Sequence, residues 1–395
     1  MRTLRHLIGA LVLIGALLVG GLAFVLYDPL SSSKRFLSPS QLITAPAGTV
    51  SSLPAGERPV QATDAPAIAA LAQRYQPTLV VSGLDRFWPV SVPGLLGARW
   101  HGRGTCIYIG GRCRIRDPTV AALTGAGARS EWIQFPAPVD SVQDTFLSAA
   151  TALRSAVQAL RHWPHQLAAE DPFTSAQVYF YYLAKAPRSA YPGAPRGLVS
   201  LEYWFYYPLN YFPLVRIPLE ALRDPIGSTI GNTDYHQGDL EHVAVLLDPQ
   251  TMQPLYLWMA RHADEGQLYR WHSHSVQWSG EHATVYAALG SHSSYASCGI
   301  QRRSRTYWFI NDYVVCIPHQ TYGFTYSRTP LVDLAHTSWG CWRGHLGEAG
   351  PRLNHGRVAF APYETDGPFS PLLQQENFRI GCRLPPGVPK PAAPL

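Results

Sequence analysis

Residues 7–27 form an unbroken apolar run behind Arg2, Arg5 and His6. About 20 apolar residues suffice to cross the hydrocarbon core of a bilayer as one helix, and no other stretch of the sequence has that character. The run constrains the chain more than any other feature, because it commits the chain to a membrane and the bulk of it to folding on the far side. A long translocated domain moves largely regardless of the charge on its flanks, so Lys34 and Arg35 do not oppose that orientation. The amino terminus is expected inside, and residues 28–395 in the periplasm or extracellular space. Two fates of the run stay open. It continues through Phe24-Val25-Leu26-Tyr27, as a retained signal anchor would, which makes a single-pass membrane protein. Gly21-Leu22-Ala23 has the small-x-small form at which a signal peptide is cleaved, which makes a secreted one. No cysteine closely follows the run, which argues against a lipoprotein.

The cysteines agree with that compartment. There are six, Cys106, Cys113, Cys298, Cys316, Cys341 and Cys382, and none forms a C-x-x-C pair. Such spacing suits a zinc ribbon or a thioredoxin-like motif poorly, and a disulfide framework well. Six cysteines allow about 15 pairings. The simplest joins sequence neighbours: Cys106 with Cys113, Cys298 with Cys316, and Cys341 with Cys382. The alternative is a set of free buried thiols.

Residues 28–62 are rich in Ser, Pro, Ala and Thr without periodicity and read as a flexible linker. Order is expected from about residue 63, where Asp64 and Pro66 open a helix carrying Ile68, Leu71, Ala72 and Tyr75 at helical spacing. Residues 63–195 form an N-terminal part with helices and a hairpin. The hairpin is the Gly-rich stretch 102–116, and a longer helix is expected over 142–161, where Val142, Phe146, Ala150, Leu153, Val157 and Leu160 make one apolar stripe. From Val178 onward short aromatic and β-branched runs at 178–182, 198–208, 242–247, 255–261, 284–289 and 306–310 alternate with turn signals. Charged residues make up only 15% of the chain, against 21 Tyr and 11 Trp, a balance that suits a β protein better than a helical bundle. The expected fold is mainly β: a β-sandwich with helical decorations, centred on residues 196–383, preceded by one N-terminal transmembrane helix. Residues 384–395 read as a disordered tail. The net charge of +6 is densest at Arg302, Arg303 and Arg305, which read as a solvated loop or a contact for anionic lipid or polysaccharide. No nucleic-acid-binding motif is present.

The segment that carries chemistry is Asp234-Tyr235-His236-Gln237-Gly238-Asp239-Leu240-Glu241-His242. Asp239 and Glu241 sit two apart on a strand and project from one face. Gly238 permits the bend that brings His236 to them. Two carboxylates so placed repel unless a cation or a shared proton relieves them. One imidazole and two carboxylates suit magnesium, calcium or manganese, and allow zinc. His242 points away and reads as packed. His262 and His292 are candidates for a further ligand or a general acid/base. His272 and His274 form an H-x-H pair that reads as incidental. Ser291 and Ser293 flank His292, but there is no G-x-S-x-G elbow for a serine hydrolase.

Arg74-Tyr75-Gln76-Pro77 with Asp85-Arg86-Phe87-Trp88-Pro89, the run 202–210, His236-Gln237-Gly238-Asp239-Leu240-Glu241, Arg261-His262 and Gly290-Ser291-His292-Ser293-Ser294-Tyr295 occur in this order. Together they resemble the motifs of the vacuolar protein sorting-associated protein 62 family, over about residues 70–300. The H-x-x-D-x-E core is more distantly similar to the necrosis- and ethylene-inducing-like proteins. That resemblance implies a secreted β-sandwich holding a divalent cation through His236, Asp239 and Glu241. Leu240 stands where that family has tryptophan, and its further upstream aspartate has only Asp234 or Asp224 as counterparts here. Three functions follow as expectations: a cation-dependent surface module for glycan or lipid, a metal-dependent hydrolase acting on an envelope or extracellular substrate, or a structural envelope protein.

Overall fold

In a computed structural model, the structure describes residues 36–46, 66–83, 85, 87–100, 103–123, 131–135, 172–186, 190–211, 235–262, 265–302, 311–347 and 367–374. The run 7–27, the helix expected at 142–161, the strand expected at 306–310, Cys382 and the tail 384–395 lie outside them. Among the described residues no helix is long and apolar enough to cross a membrane.

The described chain is mainly β. It begins with β1 (Leu42–Thr44), β2 (Thr78–Ser82), β3 (Arg99–Trp100), β4 (Arg103–Gly104), β5 (Cys106–Ile109), β6 (Arg112–Arg116) and β7 (Trp132–Gln134). There follow β8 (Val178–Leu183), β9 (Val199–Tyr211), β10 (Tyr235–Leu247), β11 (Pro254–Ala260), β12 (Gly266–Arg270) and β13 (Trp278–Ser279). The last are β14 (His282–Ala287), β15 (Ser294–Tyr295), β16 (Gly299–Arg302), β17 (Asn311–Val314), β18 (Thr321–Phe324) and β19 (Leu331–Asp333). One six-stranded sheet has the order β12-β11-β10-β9-β8-β19, and a second has β1-β18-β2-β14-β13 with β15 paired to β14. The long pair β9 and β10 is antiparallel, with Tyr235 opposite Tyr211 and Leu247 opposite Val199.

Strands from before residue 195 are interior to both sheets: β2 lies between β18 and β14, and β8 between β9 and β19. Residues 63–195 and 196–383 are therefore interleaved. Residues 36–46 fall inside the span read as linker; there β1 pairs in parallel with β18, Leu42 opposite Thr321. A three-residue strand is too short to show a period in the sequence.

β9 explains the layering. Leu201, Tyr203, Phe205 and Tyr207 on one face and Trp204 and Tyr206 on the other are all fully buried. A strand apolar on both faces is stable only when both are covered. The first set shares a core with Leu79, Val81, Val285 and Phe324 of the second sheet, as in a β-sandwich. The other face is covered by Val92, Leu95, Ile107, Ile133, Trp339 and Trp342. The β9–β10 sheet is thus the middle of three layers, one more than the sandwich expected from the sequence. Fully burying one large apolar side chain contributes roughly 1.5–3 kcal/mol, so this double-sided strand dominates the core. The helix Pro66–Tyr75 adds Ala72 and Tyr75 to the shared core. Disulfides join Cys106 to Cys113, closing the β5–β6 hairpin, and Cys298 to Cys316. Cys341 is also disulfide-bonded.

One carboxyl lies inside the cover-side core. Glu202 is fully buried, accepting hydrogen bonds from Tyr191 Oη and from Trp204 Nε1 at 3.2 Å. Burial raises its pKa to about 8, against the lowering effect of those two donors. The unfolded chain releases this proton near the ordinary carboxyl value of 4.5. The stability it contributes is therefore complete below that pH and is lost as pH rises toward 8. Glu202→Gln should accordingly gain on the parent between pH 5 and 8, by on the order of a few kcal/mol in denaturant titrations. A pH-independent difference between the two proteins would contradict the assignment.

Candidate functional site

The site grows from β10. Val243, Val245 and Leu247 face the second sheet, and Ala244 and Leu246 face the cover. By strand alternation Asp239 and Glu241 point toward the second sheet. The alternation breaks at Gly238. Gln237 exchanges hydrogen bonds with the Phe135 backbone at 2.8 and 3.1 Å, on the side where Leu240 is buried with Phe135. Gly238 has φ 69°, and a Cβ there would lie 2.0 Å from the Leu346 carbonyl oxygen, so both the conformation and the space require glycine. His236 lies on one side of this break, and Asp239 and Glu241 on the other. These three are only 6%, 6% and 8% exposed.

Their partners differ from the expectation. His236 Nδ1 donates to the Gly238 carbonyl at 2.6 Å, and its Nε2 accepts from the Asn210 amide at 3.1 Å. Asp239 Oδ2 accepts from His292 Nδ1 at 2.8 Å. The other nitrogen of His292 lies 3.5 Å from Oδ2 of Asp85. Asp85 follows β2 and also accepts from the Gly290 and Phe87 amides, at 2.8 and 3.1 Å. His292, fully buried, stacks flat on Tyr207 with ring centroids 3.9 Å apart. Burial alone would lower its pKa, but the charge of Asp85 and hydrogen bonds to both aspartates raise it to about 9. Burial pushes the Asp85 carboxyl up, and His292 with the two backbone donors more than offsets that and holds it below its ordinary value. An imidazolium thus supplies the positive charge that two of these carboxylates need.

A second cluster adjoins the first. Asp312 of β17 is fully buried and accepts from His262 Nε2 at 2.6 Å, Ser291 Oγ at 2.7 Å and Tyr295 Oη at 2.5 Å. Ser293 Oγ lies 3.2 Å from His262 Nε2 and donates to Glu241 Oε1 at 3.5 Å, linking the clusters. The Arg261 guanidinium lies over the Tyr295 ring, 4.6 Å from its centroid. Ser293, His262 and Asp312 have the composition of a hydrolytic triad but a different geometry. Hydroxyl and carboxylate approach the same nitrogen most closely, whereas a general base needs them on opposite nitrogens. A histidine held protonated, as His292 is, cannot take a proton at neutral pH.

Among the described residues no three of His, Cys, Asp and Glu are arranged to hold a metal ion. The buried atoms Tyr207 Oη, Ser294 Oγ and Arg261 Nε have no hydrogen-bond partner among the described residues, and His292 Nε2 has only its long contact with Asp85. Asp234 and Asp224 lie outside the described residues. Two carboxylates of the site, Asp85 and Asp312, were not identified as site residues from the sequence. Asp85 was within reach, since it begins one of the motifs that carry the family resemblance. Asp312 follows Asn311 with no motif around it. His272 stands apart, half-exposed and 3.5 Å from Glu281. His242 is buried and stacked on Trp204, its pKa lowered by burial to about 3, as a packed residue.

No family model matches the chain, including that of the vacuolar sorting family, and no curated protein matches it. Solved structures similar to it include NLPPya in complex with glucosamine, 16% identical, covering 76% of this chain and 85% of that one at a TM-score of 0.30. Another is Necrosis and Ethylene inducing Protein 2 from the causal agent of cocoa's Witches Broom disease, 11% identical, with the same coverages and TM-score. A TM-score of 0.30 is too low to assign a shared fold.

Removing one partner of a buried ion pair typically costs about 3–5 kcal/mol, because the other charge is left uncompensated. His292→Gln should lose that much in denaturant unfolding. Asp239→Asn should cost less in the His292→Gln background than in the parent. Additive losses in the double variant would show that the two side chains are not coupled.

Proposed function

We propose that this chain is an extracytoplasmic recognition module that holds a glycan at the acidic end of its sheets. The disulfides support the compartment, and the apolar run at residues 7–27 supports tethering to a membrane. The observation that carries the reading is the set of unpartnered buried atoms, Tyr207 Oη, Arg261 Nε and Ser294 Oγ, within this carboxylate-rich network. Sugar hydroxyls donate and accept at once, which matches a set that mixes donors with acceptors. The set is polar throughout, which favours a glycan over an acyl chain. The side chain of His262 is 9% exposed, so the network reaches the surface there. The hydrolase reading is weaker, because a protonated His292 cannot serve as a general base, and His262 has its serine and carboxylate neighbours closest to the same nitrogen.

A divalent cation is the second reading. It is motivated by Asp239 and Glu241, both buried and two apart on one face of β10. Such oxygens suit magnesium, calcium or manganese. For Asp239 to ligate an ion alongside Glu241 and His236, it would use Oδ1 or give up the bond that its Oδ2 accepts from His292.

Titration calorimetry of the purified chain against neutral, acidic and amino hexoses and their oligomers tests the first reading. Saturable binding of one class is expected, weakened at least about tenfold, or about 1.4 kcal/mol, by Asp239→Asn or Glu241→Gln. Failure of every sugar to bind would overturn it. A thermal midpoint raised by calcium, magnesium, manganese or zinc and lowered by chelator would establish the second reading; at ~100 times the dissociation constant that linkage is ~2.7 kcal/mol.

A further inference from the structure

We propose that the β5–β6 hairpin docks on the surface of an anionic lipid bilayer. Among the described residues three large apolar side chains are exposed, and two of them, Ile109 and Ile115 at 37% each, lie on this hairpin. Register places them together. Ile107 is opposite Ile115 and Ile109 is opposite Arg112, so the buried Ile107 roots a face that continues outward as Ile109, Ile115 and Arg112. Arg112, Arg114 and Arg116 are all exposed along β6, which is the outer strand of its three-stranded sheet. The nearby acids are Glu131, half-buried, and Asp117, whose carboxylate lies against the Gly104 backbone. The hairpin is therefore net positive, with apolar tips among its cations. The Cys106–Cys113 disulfide and the core anchor Ile107 fix its shape.

That combination selects its partner. A stable protein interface takes about 800 Å² from each side, more than two partly exposed isoleucines supply. Two apolar side chains flanked by arginines suit the headgroup boundary of a bilayer, where shallow apolar insertion and attraction to anionic lipid add. The hairpin belongs to the cover on the opposite face of the middle sheet from Asp239 and Glu241. The inference is therefore independent of the glycan reading.

The test uses the full chain in vesicles of phosphatidylcholine alone and of phosphatidylcholine with about 30% phosphatidylserine, so that any tether is common to both. Hydrogen exchange is followed at the amides of residues 107–116. We expect at least tenfold slower exchange there in the phosphatidylserine vesicles. The slowing should vanish in Arg112→Glu/Arg114→Glu, and Ile115→Ser should reduce it. Non-reducing mass analysis should show the hairpin disulfide retained in each variant. Equal exchange in the two vesicle types, or slowing that survives charge reversal with the disulfide intact, would overturn the proposal.

Discussion

The ion pair of His292 with Asp239, braced on its other side by Asp85, is the contact through which three separate parts of the chain are held in one place. Asp85 follows β2 of one sheet, Asp239 begins on β10 of the other, and His292 comes from the loop between β14 and β15. The imidazole lies flat on Tyr207, which is opposite Asp239 in the β9–β10 register. A buried charge is tolerated only when paired and hydrogen-bonded; each aspartate is paired with His292, and Asp85 also accepts from the Gly290 and Phe87 amides. The left-handed conformation of His292, φ 52°, is part of the same construction. An unfavourable backbone state persists where its surroundings over-determine it, and here the Asp239 bond, the Tyr207 stack and the His292 amide bond to the Ala288 carbonyl at 2.9 Å do so.

The layers exist to support that contact. Because β9 is apolar on both faces, the β9–β10 sheet is pressed between the second sheet and a cover of loops and short strands. Leu346 of that cover closes on Gly238 and accepts from Tyr206 Oη at 2.6 Å. The close approach fixes the break in β10 that lies between His236 and Asp239. Packing on one side of the sheet thus sets the polar geometry on the other.

Much of this was legible in the sequence. The strands at 178–182, 198–208 and 255–261 emerge as β8, β9 and β11, the hairpin at 102–116 is closed by the expected disulfide, and Cys298 pairs with Cys316. The third layer was not foreseen, although the unbroken aromatic run 203–207 is what a strand covered on both faces looks like. For the site, spacing along β10 placed Asp239 and Glu241 on one face and Gly238 as the bend. Spacing could not supply Asp85 or Asp312, which arrive from strands far away in the chain. Asp239 is paired with His292, which the sequence offered only as a candidate ligand or acid/base, and only tertiary contacts bring the two together.

The central claim is that His292 is an imidazolium clamped by two aspartates, and its own protonation state tests this most directly. Nitrogen NMR of histidine-labelled protein, with the His292 resonance assigned by its loss in His292→Gln, reads both ring nitrogens as a function of pH. The account predicts that both carry a proton at neutral pH and that the ring titrates at about 9. A His292 ring that is neutral at pH 7, or that titrates near the ordinary histidine value of 6.5, would contradict it.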